Sequence, residues 1–307
     1  MFLLFPGQGS QKPGMAKDLA AAFPAARDVF DRADAALGTA LSALCFEGPA
    51  EELTLTHNAQ PALLTHGAAV WAIVKGKLAG QMQGAAGHSL GEFSAYHAAG
   101  ALPLEDAVRL VRRRGELMFE TGVQVPGAMA AILGELQRPI EDICREAGAH
   151  GVCVPANYNT TEQIVISGEL AAVEAAMELA KAAGAKRAVR LPVSGAFHSP
   201  LMRPAAVGLE AALAAARWSA PVVPVWSNVT AEPVTDAATA KELLLKQLTS
   251  PVRWVDVVRS VAARFPGTTF VEMGPGSVLS GLVKRLAPDC KTHSCGTVAD
   301  VEFLLTS

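Results

Sequence analysis

The chain has 307 residues, half of them hydrophobic, and its formal net charge at neutral pH is −3. This length allows a large core in one large domain or two moderate ones, and the slightly acidic charge gives no reason to expect a nucleic acid or an anionic membrane as a partner. Apolar stretches are interrupted by Gly, Pro and charged residues before the ~20 residues that a membrane-spanning helix needs, so we expect no membrane partner.

Short apolar runs alternate with longer amphipathic segments, a pattern typical of an α/β protein with a largely parallel sheet. In chain order it predicts a strand at 2–7, helices at 24–37, 61–78 and 104–119, and strands at 223–228 and 269–274. The third helix has an acidic start and a basic middle, which suits the helix dipole.

The middle of the chain has a different order of elements. It predicts strands at 128–133, 152–157, 163–168 and 187–194, and helices at 139–148 and 170–185. This βαββαβ order is that of a ferredoxin-like unit. We therefore predict a hydrolase-like larger α/β subdomain made of residues 1–124 and 196–307, with a ferredoxin-like subdomain inserted at 125–195. A cleft between the two is the favoured place for a ligand.

Five cysteines form an odd set with no C-x-x-C pair, and no H-E-x-x-H helix accompanies them; they are Cys45, Cys144, Cys153, Cys290 and Cys295. We interpret them as buried or inert thiols in a reducing compartment, and we expect no metal site. The stretch MFLLFPGQGS has neither a basic leader nor an apolar region of signal-peptide length, so we expect a cytoplasmic location.

The stretch GHSLG (87–91) fits G-x-S-x-G, the nucleophile elbow of serine hydrolases. In such an elbow a serine occupies a tight turn between a strand and a helix, and the flanking glycines let the backbone fold sharply. Residues 81–86 supply the incoming strand and residues 91–101 the outgoing helix. Ser89 is thus a candidate nucleophile at a helix N-terminus, with the amide of Leu90 facing an oxyanion.

Two histidines lie close to Ser89 in the sequence, but neither is predicted to be its base. Adjacent residues on a turn or helix point their side chains apart, so we expect His88 to pack behind the elbow. His97 lies eight residues along the predicted helix. That spacing is a rise of about 12 Å, well beyond a hydrogen bond of roughly 3 Å.

The base must therefore come from another part of the chain. His66 lies in an apolar helix, where a packed core imidazole is the simpler interpretation. His198, at the junction where the inserted unit ends, and His293, near the C-terminus, both remain candidates, because hydrolases place the histidine after the serine. The position at the cleft edge favours His198.

Seven motifs are spread along the chain: FPGQGSQ (5–11), QPALL (60–64), GHSLGE (87–92), RLVRRRGELM (109–118), GAFHSPLM (195–202), QLTSPVRW (247–254) and EMGPG (272–276). Together they resemble the malonyl-CoA:acyl carrier protein transacylases, a family related to the acyltransferase domains of fatty-acid and polyketide synthases. The resemblance covers nearly the whole chain in the family's order, the ferredoxin-like insert included.

The resemblance implies a role for each matching residue. It implies Ser89 as the nucleophile, His198 as its base, and the backbone carbonyl of Gln247 as the group that orients the histidine in place of a triad acid. It implies the backbone amides of Gln8 and Leu90 as the oxyanion hole. No metal or dissociable cofactor is implied.

Two further residues bear on the substrate. Arg114 matches the family position that pairs with the free carboxylate of a malonyl group, and a guanidinium can hold a carboxylate through two parallel hydrogen bonds. Phe197, in the AFH sequence before the predicted base, resembles the malonyl-selective acyltransferases, because its ring would crowd a methyl branch. The implied activity is malonyl transfer from malonyl-CoA to acyl carrier protein for fatty-acid synthesis.

Simpler interpretations compete with these assignments. The segment around Gln8 reads equally as a plain turn, and Arg112, Arg113 and Arg114 as a solvated helix face from which at least one side chain points inward. Glu272 and Asp256 are candidate triad acids if the protein is a serine hydrolase.

Other functions also remain open at this point. A malonate decarboxylase transacylase subunit or a stand-alone polyketide acyltransferase would use the same chemistry with another carrier. A scaffold with a vestigial site would use none of it. Since acyl carrier protein is acidic, we expect exposed basic residues to steer it, and the candidates are Lys186, Arg187, Lys284 and Arg285.

Overall fold

The computed structural model describes residues 1–306. Its strands are β1 (Phe2–Phe5), β2 (Gly84–Gly87), β3 (Ala128–Leu133), β4 (Cys153–Thr160), β5 (Gln163–Gly168), β6 (Arg187–Arg190), β7 (Val225–Trp226), β8 (Pro233–Val234), β9 (Thr269–Met273) and β10 (Lys291–Cys295).

Its α-helices are α1 (Lys17–Ala22), α2 (Pro24–Leu37), α3 (Leu41–Glu47), α4 (Ala50–Thr54), α5 (Thr56–Leu78), α6 (Gly91–Ala98), α7 (Leu104–Gln124), α8 (Ile140–Ala147), α9 (Leu170–Ala182), α10 (Arg203–Ala215), α11 (Ala237–Gln247), α12 (Trp254–Arg264), α13 (Val278–Leu286) and α14 (Val298–Thr306). Short 3₁₀ helices lie at Ala79–Gln81, Gly148–His150 and Pro200–Met202.

The larger sheet has the strand order β10-β9-β1-β2-β7-β8, and all of its pairs are parallel except β7 with β8. Helices cover both of its faces, so its central strand is apolar at every position. In β1, Leu3 and Phe5 pack against a cluster that includes α2, α5 and α7, whereas Phe2 and Leu4 pack against α12 and α13. The predicted parallel α/β sheet is confirmed.

The smaller sheet has the order β4-β5-β3-β6, with every pair antiparallel. Its elements follow the predicted βαββαβ order. On one face, Ala130 and Ile166 pack against α8 and α9. On the other, Met129 and Val165 line a cleft beside the larger sheet. The predicted ferredoxin-like arrangement is therefore present, while its boundaries at 125 and 195 stay predictions.

Backbone contacts join the smaller sheet to the segment before α12 of the larger unit. The amide of Val252, just before α12, donates to the carbonyl of Ala156 in β4 at 2.8 Å, and the amide of Tyr158 donates back to the carbonyl of Val252 at 2.9 Å. Where the chain enters and leaves the smaller unit, a Cβ atom on Gly122 would lie 2.0 Å from the carbonyl oxygen of Ser194. This close approach requires glycine, and it fixes the cleft between the two units.

The structure differs from the sequence prediction at two prolines. Helix α5 begins at Thr56, not at Pro61, which lies inside it; the proline resembled a helix start because its fixed φ suits the first turn. Strand β6 ends at Arg190 rather than continuing to residue 194. Since Pro192 has no amide hydrogen, the ladder with β3 stops there, and residues 191–193 line the cleft instead.

The cysteines and the helices bear on the expectations of free thiols and of no membrane span. All five cysteines are buried, and none of them forms a disulfide bond. Among the helices formed within residues 1–306, none combines the length and the apolar character that crossing a bilayer requires.

Candidate active site

Ser89 lies in the turn between β2 and α6, with φ at 53°. A left-handed backbone at a residue other than glycine costs on the order of 1–3 kcal/mol and is typical of functional sites. The turn is tight enough that a Cβ atom on Gly87 would lie 1.9 Å from the carbonyl carbon of Gly91, and one on Gly91 would lie 2.1 Å from the carbonyl oxygen of Phe5. The predicted nucleophile elbow is present.

His198 is the histidine that reaches the serine. Its Nε2 lies 2.8 Å from Oγ of Ser89, although the two residues are 109 positions apart in the chain. Its own backbone is also left-handed, with φ at 57°. The elements flanking the smaller unit therefore bring the candidate nucleophile and base together.

The histidines near Ser89 in sequence have other partners, as predicted. Nε2 of His88 lies 2.8 Å from Oδ1 of Asn159, and Nδ1 of His97 lies 2.9 Å from the carbonyl oxygen of Leu102. His66 contacts the carbonyl of Gly296 inside the core. His293 lies on the edge strand β10, where its ring packs against that of Phe303.

The proton positions on His198 follow from its partners. Nδ1 lies 2.8 Å from the backbone carbonyl oxygen of Gln247, which can only accept, so Nδ1 carries the hydrogen. Nε2 is then free to accept the Ser89 hydroxyl hydrogen. Burial, with a smaller effect of the Arg114 charge, lowers the pKa of His198 to about 3. The ring is thus neutral and able to act as a base at neutral pH.

Arg114 lies inside the cleft and is 1% exposed. Its Nη2 donates to Oγ of Ser89 at 3.0 Å and to Oε1 of Gln247 at 2.9 Å, and its Nη1 donates to Oε1 of Gln60 at 2.7 Å. No carboxylate within residues 1–306 forms an ion pair with this guanidinium. Although burial lowers the pKa of Arg114 to about 10, the side chain stays charged at neutral pH.

The other two arginines of the run behave differently. Arg113 is exposed and pairs with Glu116 and Glu120 along the helix. Arg112 is half-buried and donates to Asn58 at 2.5 Å. Of the three arginines, Arg114 alone points toward Ser89 in the cleft. The other two lie on the exposed or half-buried side of α7.

Gln8 and Leu90 both line the cleft that contains Ser89. Leu90 is the residue immediately before helix α6, where amide hydrogens have no partner within the helix. Neither amide donates to another group within residues 1–306. Two free donors next to a nucleophile can stabilise a developing oxyanion.

The side chain of Gln247 connects several parts of the site, which sequence reasoning missed because it considered only the backbone carbonyl. Its Nε2 donates to the carbonyl oxygen of Ser89 at 3.0 Å and to Oε2 of Glu92 at 2.8 Å. Glu92 is fully buried, and burial raises its pKa to about 7. Its place in the GHSLGE motif was the one available signal of a role.

The candidate triad acids lie elsewhere. Glu272 accepts hydrogen bonds from the amides of Leu279 and Ser280 at the start of α13, at 3.0 and 2.7 Å. Asp256 pairs with Arg253 on the protein surface. Neither residue orients His198, whose Nδ1 partner is a backbone carbonyl instead.

The cleft has a volume of about 370 Å³ and receives residues from both sheets. Phe197, 6% exposed, lies in its wall next to the base.

The four basic residues predicted to steer a carrier protein are exposed but do not line the cleft. Within residues 1–306, no group of three or more His, Cys, Asp or Glu side chains is placed to hold a metal ion.

The chain is similar to known proteins over nearly its whole length. The family described as "Acyl transferase domain" matches residues 2–298. A malonyl CoA-acyl carrier protein transacylase of Bacillus subtilis (strain 168) is 50% identical over 304 residues, which are 98% of this chain and 95% of that protein.

Solved structures agree with this. An acyl-carrier-protein-S-malonyltransferase from Bartonella henselae has a TM-score of 0.95 at 44% identity, covering 99% of this chain and 98% of that one. A malonyl-transacylase in complex with its type II PKS acyl-carrier protein has a TM-score of 0.94 at 40% identity, with the same coverage. The similarity therefore includes both sheets and the cleft between them.

Proposed function

This chain belongs to the acyl transferase domain family, and from that premise we propose that it is an acyl-carrier-protein S-malonyltransferase. It moves a malonyl group from malonyl-CoA to the phosphopantetheine thiol of acyl carrier protein through a malonyl-serine ester. The observation that carries the proposal is the buried guanidinium of Arg114, which forms no ion pair within residues 1–306 and lies 3.0 Å from the serine hydroxyl. A hydrolase for neutral esters has no use for this cation.

The first half-reaction forms the ester. Oγ of Ser89 attacks the thioester carbonyl while Nε2 of His198 accepts the hydroxyl proton, and the amides of Gln8 and Leu90 stabilise the oxyanion of the tetrahedral intermediate. The C–S bond then breaks, and the proton on His198 passes to the leaving thiolate of CoA. The carbonyl of Gln247 supports this step, because it holds the imidazole in the required tautomer and stabilises its protonated form.

The second half-reaction reverses the first with a different thiol. The phosphopantetheine thiol of the carrier gives its proton to His198 and attacks the ester carbonyl, and Ser89 leaves with that proton. CoA departs before the carrier binds, so the mechanism is ping-pong.

The choice of acyl group rests on two side chains. Arg114 pairs with the malonyl carboxylate, and loss of one partner of such a desolvated pair costs on the order of 2–5 kcal/mol. Phe197 narrows the wall beside the α-carbon, which favours malonyl over methylmalonyl.

The product, a malonyl thioester on a carrier, is a donor of two-carbon units, and we assign it to fatty-acid synthesis in the cytoplasm. The five unpaired cysteines support a reducing compartment.

Initial-rate kinetics with malonyl-CoA and holo acyl carrier protein test this function. We expect parallel lines in double-reciprocal plots and transfer to the carrier much faster than release of free malonate. Intersecting lines would contradict the ping-pong order and the acyl-enzyme it requires. Hydrolysis that outpaces transfer would contradict the transferase assignment and favour a serine hydrolase. A carrier from polyketide synthesis, assayed in parallel, tests the assignment to fatty-acid synthesis.

A further inference from the structure

Asn228 lies in the turn that follows β7, and it is 0% exposed. Its Oδ1 accepts from the amide of Ser89 at 2.7 Å, and its Nδ2 donates to the carbonyl oxygen of Gly87 at 2.8 Å. Its backbone is held as well, since its amide donates to Oε2 of Glu92 and its carbonyl accepts from the amide of Arg253, both at 3.0 Å. Every polar group of this residue is therefore used.

The sheet topology explains why the elbow needs such a partner. Strands β2 and β7 are parallel neighbours, and their paired register ends at Ala86 with Trp226. Beyond that point the chain turns sharply into α6, and β7 offers no ladder partner for the carbonyl of Gly87 and the amide of Ser89. Buried peptide groups need partners, and one carboxamide side chain supplies an acceptor and a donor in place of a strand.

This contact also bears on the reaction. It holds the backbone of Ser89 in its left-handed conformation, which aims Oγ at His198. In addition, it occupies the amide of Ser89 itself, so that this amide is not available to an oxyanion.

Glu92 joins this contact to the base. The same carboxylate oxygen accepts from the Asn228 amide and from Nε2 of Gln247. Gln247 in turn bonds Nδ1 of His198 through its carbonyl oxygen. One buried oxygen thus ties the residue that holds the nucleophile to the residue that holds the base.

We propose that Asn228 is a positioning residue for acyl transfer: its side chain fixes the backbone of the nucleophile, and Glu92 keeps it in register with Gln247 and His198. The inference rests on the proposed function, because it takes Ser89 as the nucleophile. It predicts that loss of the carboxamide lowers the rate of the chemical step and leaves binding of malonyl-CoA nearly unchanged.

The test compares Asn228→Ala and Asn228→Asp with Ser227→Ala. Asp has the size of Asn and keeps an acceptor for the Ser89 amide, so it serves if the Ala variant does not fold. Ser227 is equally buried and adjacent, but its hydroxyl accepts from the amide of Val229 and does not touch the elbow. For each protein, rapid-quench mass spectrometry gives the rate of malonyl-adduct formation and the final fraction acylated, and steady-state assays give KM for malonyl-CoA.

We expect both Asn228 variants to acylate on the order of 10- to 100-fold more slowly per active site. KM should stay within about threefold, since Arg114 is untouched, and Ser227→Ala should behave like the wild type. A merely structural role would lower the final fraction acylated and not the rate. The inference is overturned if the rates per active site match the wild type, if the loss lies in KM, or if Ser227→Ala is equally slow. Absence of an adduct in the wild type would instead contradict the proposed function.

Discussion

Arg114 and Ser89 are in direct contact, with Nη2 of the arginine 3.0 Å from Oγ of the serine. The cation that is proposed to hold the substrate's carboxylate thus lies beside the nucleophile. In a malonyl group one methylene separates the two carbonyl carbons, which are about 2.5 Å apart given C–C bonds of about 1.5 Å. The short spacing in the protein suits this short diacid.

Replacement of Arg114 by Ala should therefore change which acyl group is transferred. We expect kcat/KM for malonyl transfer to fall at least about 30-fold, equivalent to ~2 kcal/mol, while acetyl transfer changes much less. Arg113→Ala is the matched control, because that neighbour is exposed. Competition assays with malonyl-CoA and acetyl-CoA measure the preference, and an unchanged ratio in Arg114→Ala would refute the role of this residue.

The pH dependence of acylation reports on His198. Because its pKa is lowered to about 3 by burial, the imidazole stays neutral throughout the range in which an ordinary histidine becomes protonated near 6.5. We expect the rate of malonyl-adduct formation, followed by rapid quench, to show no step from His198 between pH 5 and 8. The control is Glu92→Gln, since a step that disappears in this variant belongs to Glu92. A drop centred near 6.5 that persists in it would contradict the prediction.

Glu92 should make stability depend on pH. Its pKa is raised from 4.5 to about 7 by burial, so the folded state binds its proton more tightly than the unfolded state. Its contribution to stability is present in full below pH 4.5 and is lost as pH rises to about 7, by on the order of 3 kcal/mol.

Glu92→Gln lacks this titration. In denaturant unfolding, the free energy of unfolding of Glu92→Gln should increase relative to that of the wild type as pH rises from 4.5 to about 7. Ser94→Ala, a buried change in the same helix that removes no ionisable group, should show no such trend. Parallel curves for Glu92→Gln and the wild type would mean that Glu92 titrates normally.

The close packing of the elbow predicts a large effect at Gly91. A Cβ atom there would lie 2.1 Å from the backbone oxygen of Phe5 in β1, and backbone cannot move aside as a side chain can. We expect Gly91→Ala to lose more than ~3 kcal/mol of stability. Gly281→Ala is the control, because a Cβ atom at this helical position in α13 meets nothing within 4 Å, and it should be neutral or stabilising. Equal melting temperatures of the two variants would contradict this account.

Three of the four basic residues predicted to bind the carrier lie on two different surfaces of the protein. Arg187 pairs with Leu133, which pairs on its other side with Gln163, a residue of the cleft. Paired residues share a face of a sheet, so Arg187 lies on the face that opens to the cleft. Lys284 and Arg285 are exposed residues at the end of α13, a helix that packs against the larger sheet.

Charge reversal should distinguish these positions. We expect Arg187→Glu to raise KM for the carrier protein and not for malonyl-CoA, and we expect the effect to shrink at high salt. Lys284→Glu should do less. A larger effect at Lys284, or a rise in KM for malonyl-CoA, would move the docking surface elsewhere.

Much of this arrangement follows from the sequence because local signals agree with the fold. The short apolar runs at residues 128–133 and 163–168 predicted strands β3 and β5 with the bounds that the structure has. The G-x-S-x-G pattern located the elbow, and helical rise excluded His97 as the base. By contrast, the residues alone left His198 and His293 open, since their distances from Ser89 depend on how the two units pack.

Specific side-chain contacts between residues far apart in the chain were not predicted from the sequence. Asn228 follows a strand of two residues, and nothing in its surroundings indicates that its side chain bonds the elbow. Gln60 lies in an apolar helix, and its bond to Arg114 connects residues 54 positions apart. These hydrogen bonds form only when distant elements pack together, and neither hydrophobic periodicity nor short motifs predict which side chains then meet.

The central claim is that Ser89 carries the malonyl group and passes it to a carrier. Mass spectrometry of the intact protein and its peptides after brief exposure to malonyl-CoA, with and without holo acyl carrier protein, tests this most directly. The account predicts a malonyl adduct on Ser89 that disappears when the carrier is added, with malonyl carrier as the product. No adduct, an adduct on another residue, or one that the carrier does not discharge would contradict it.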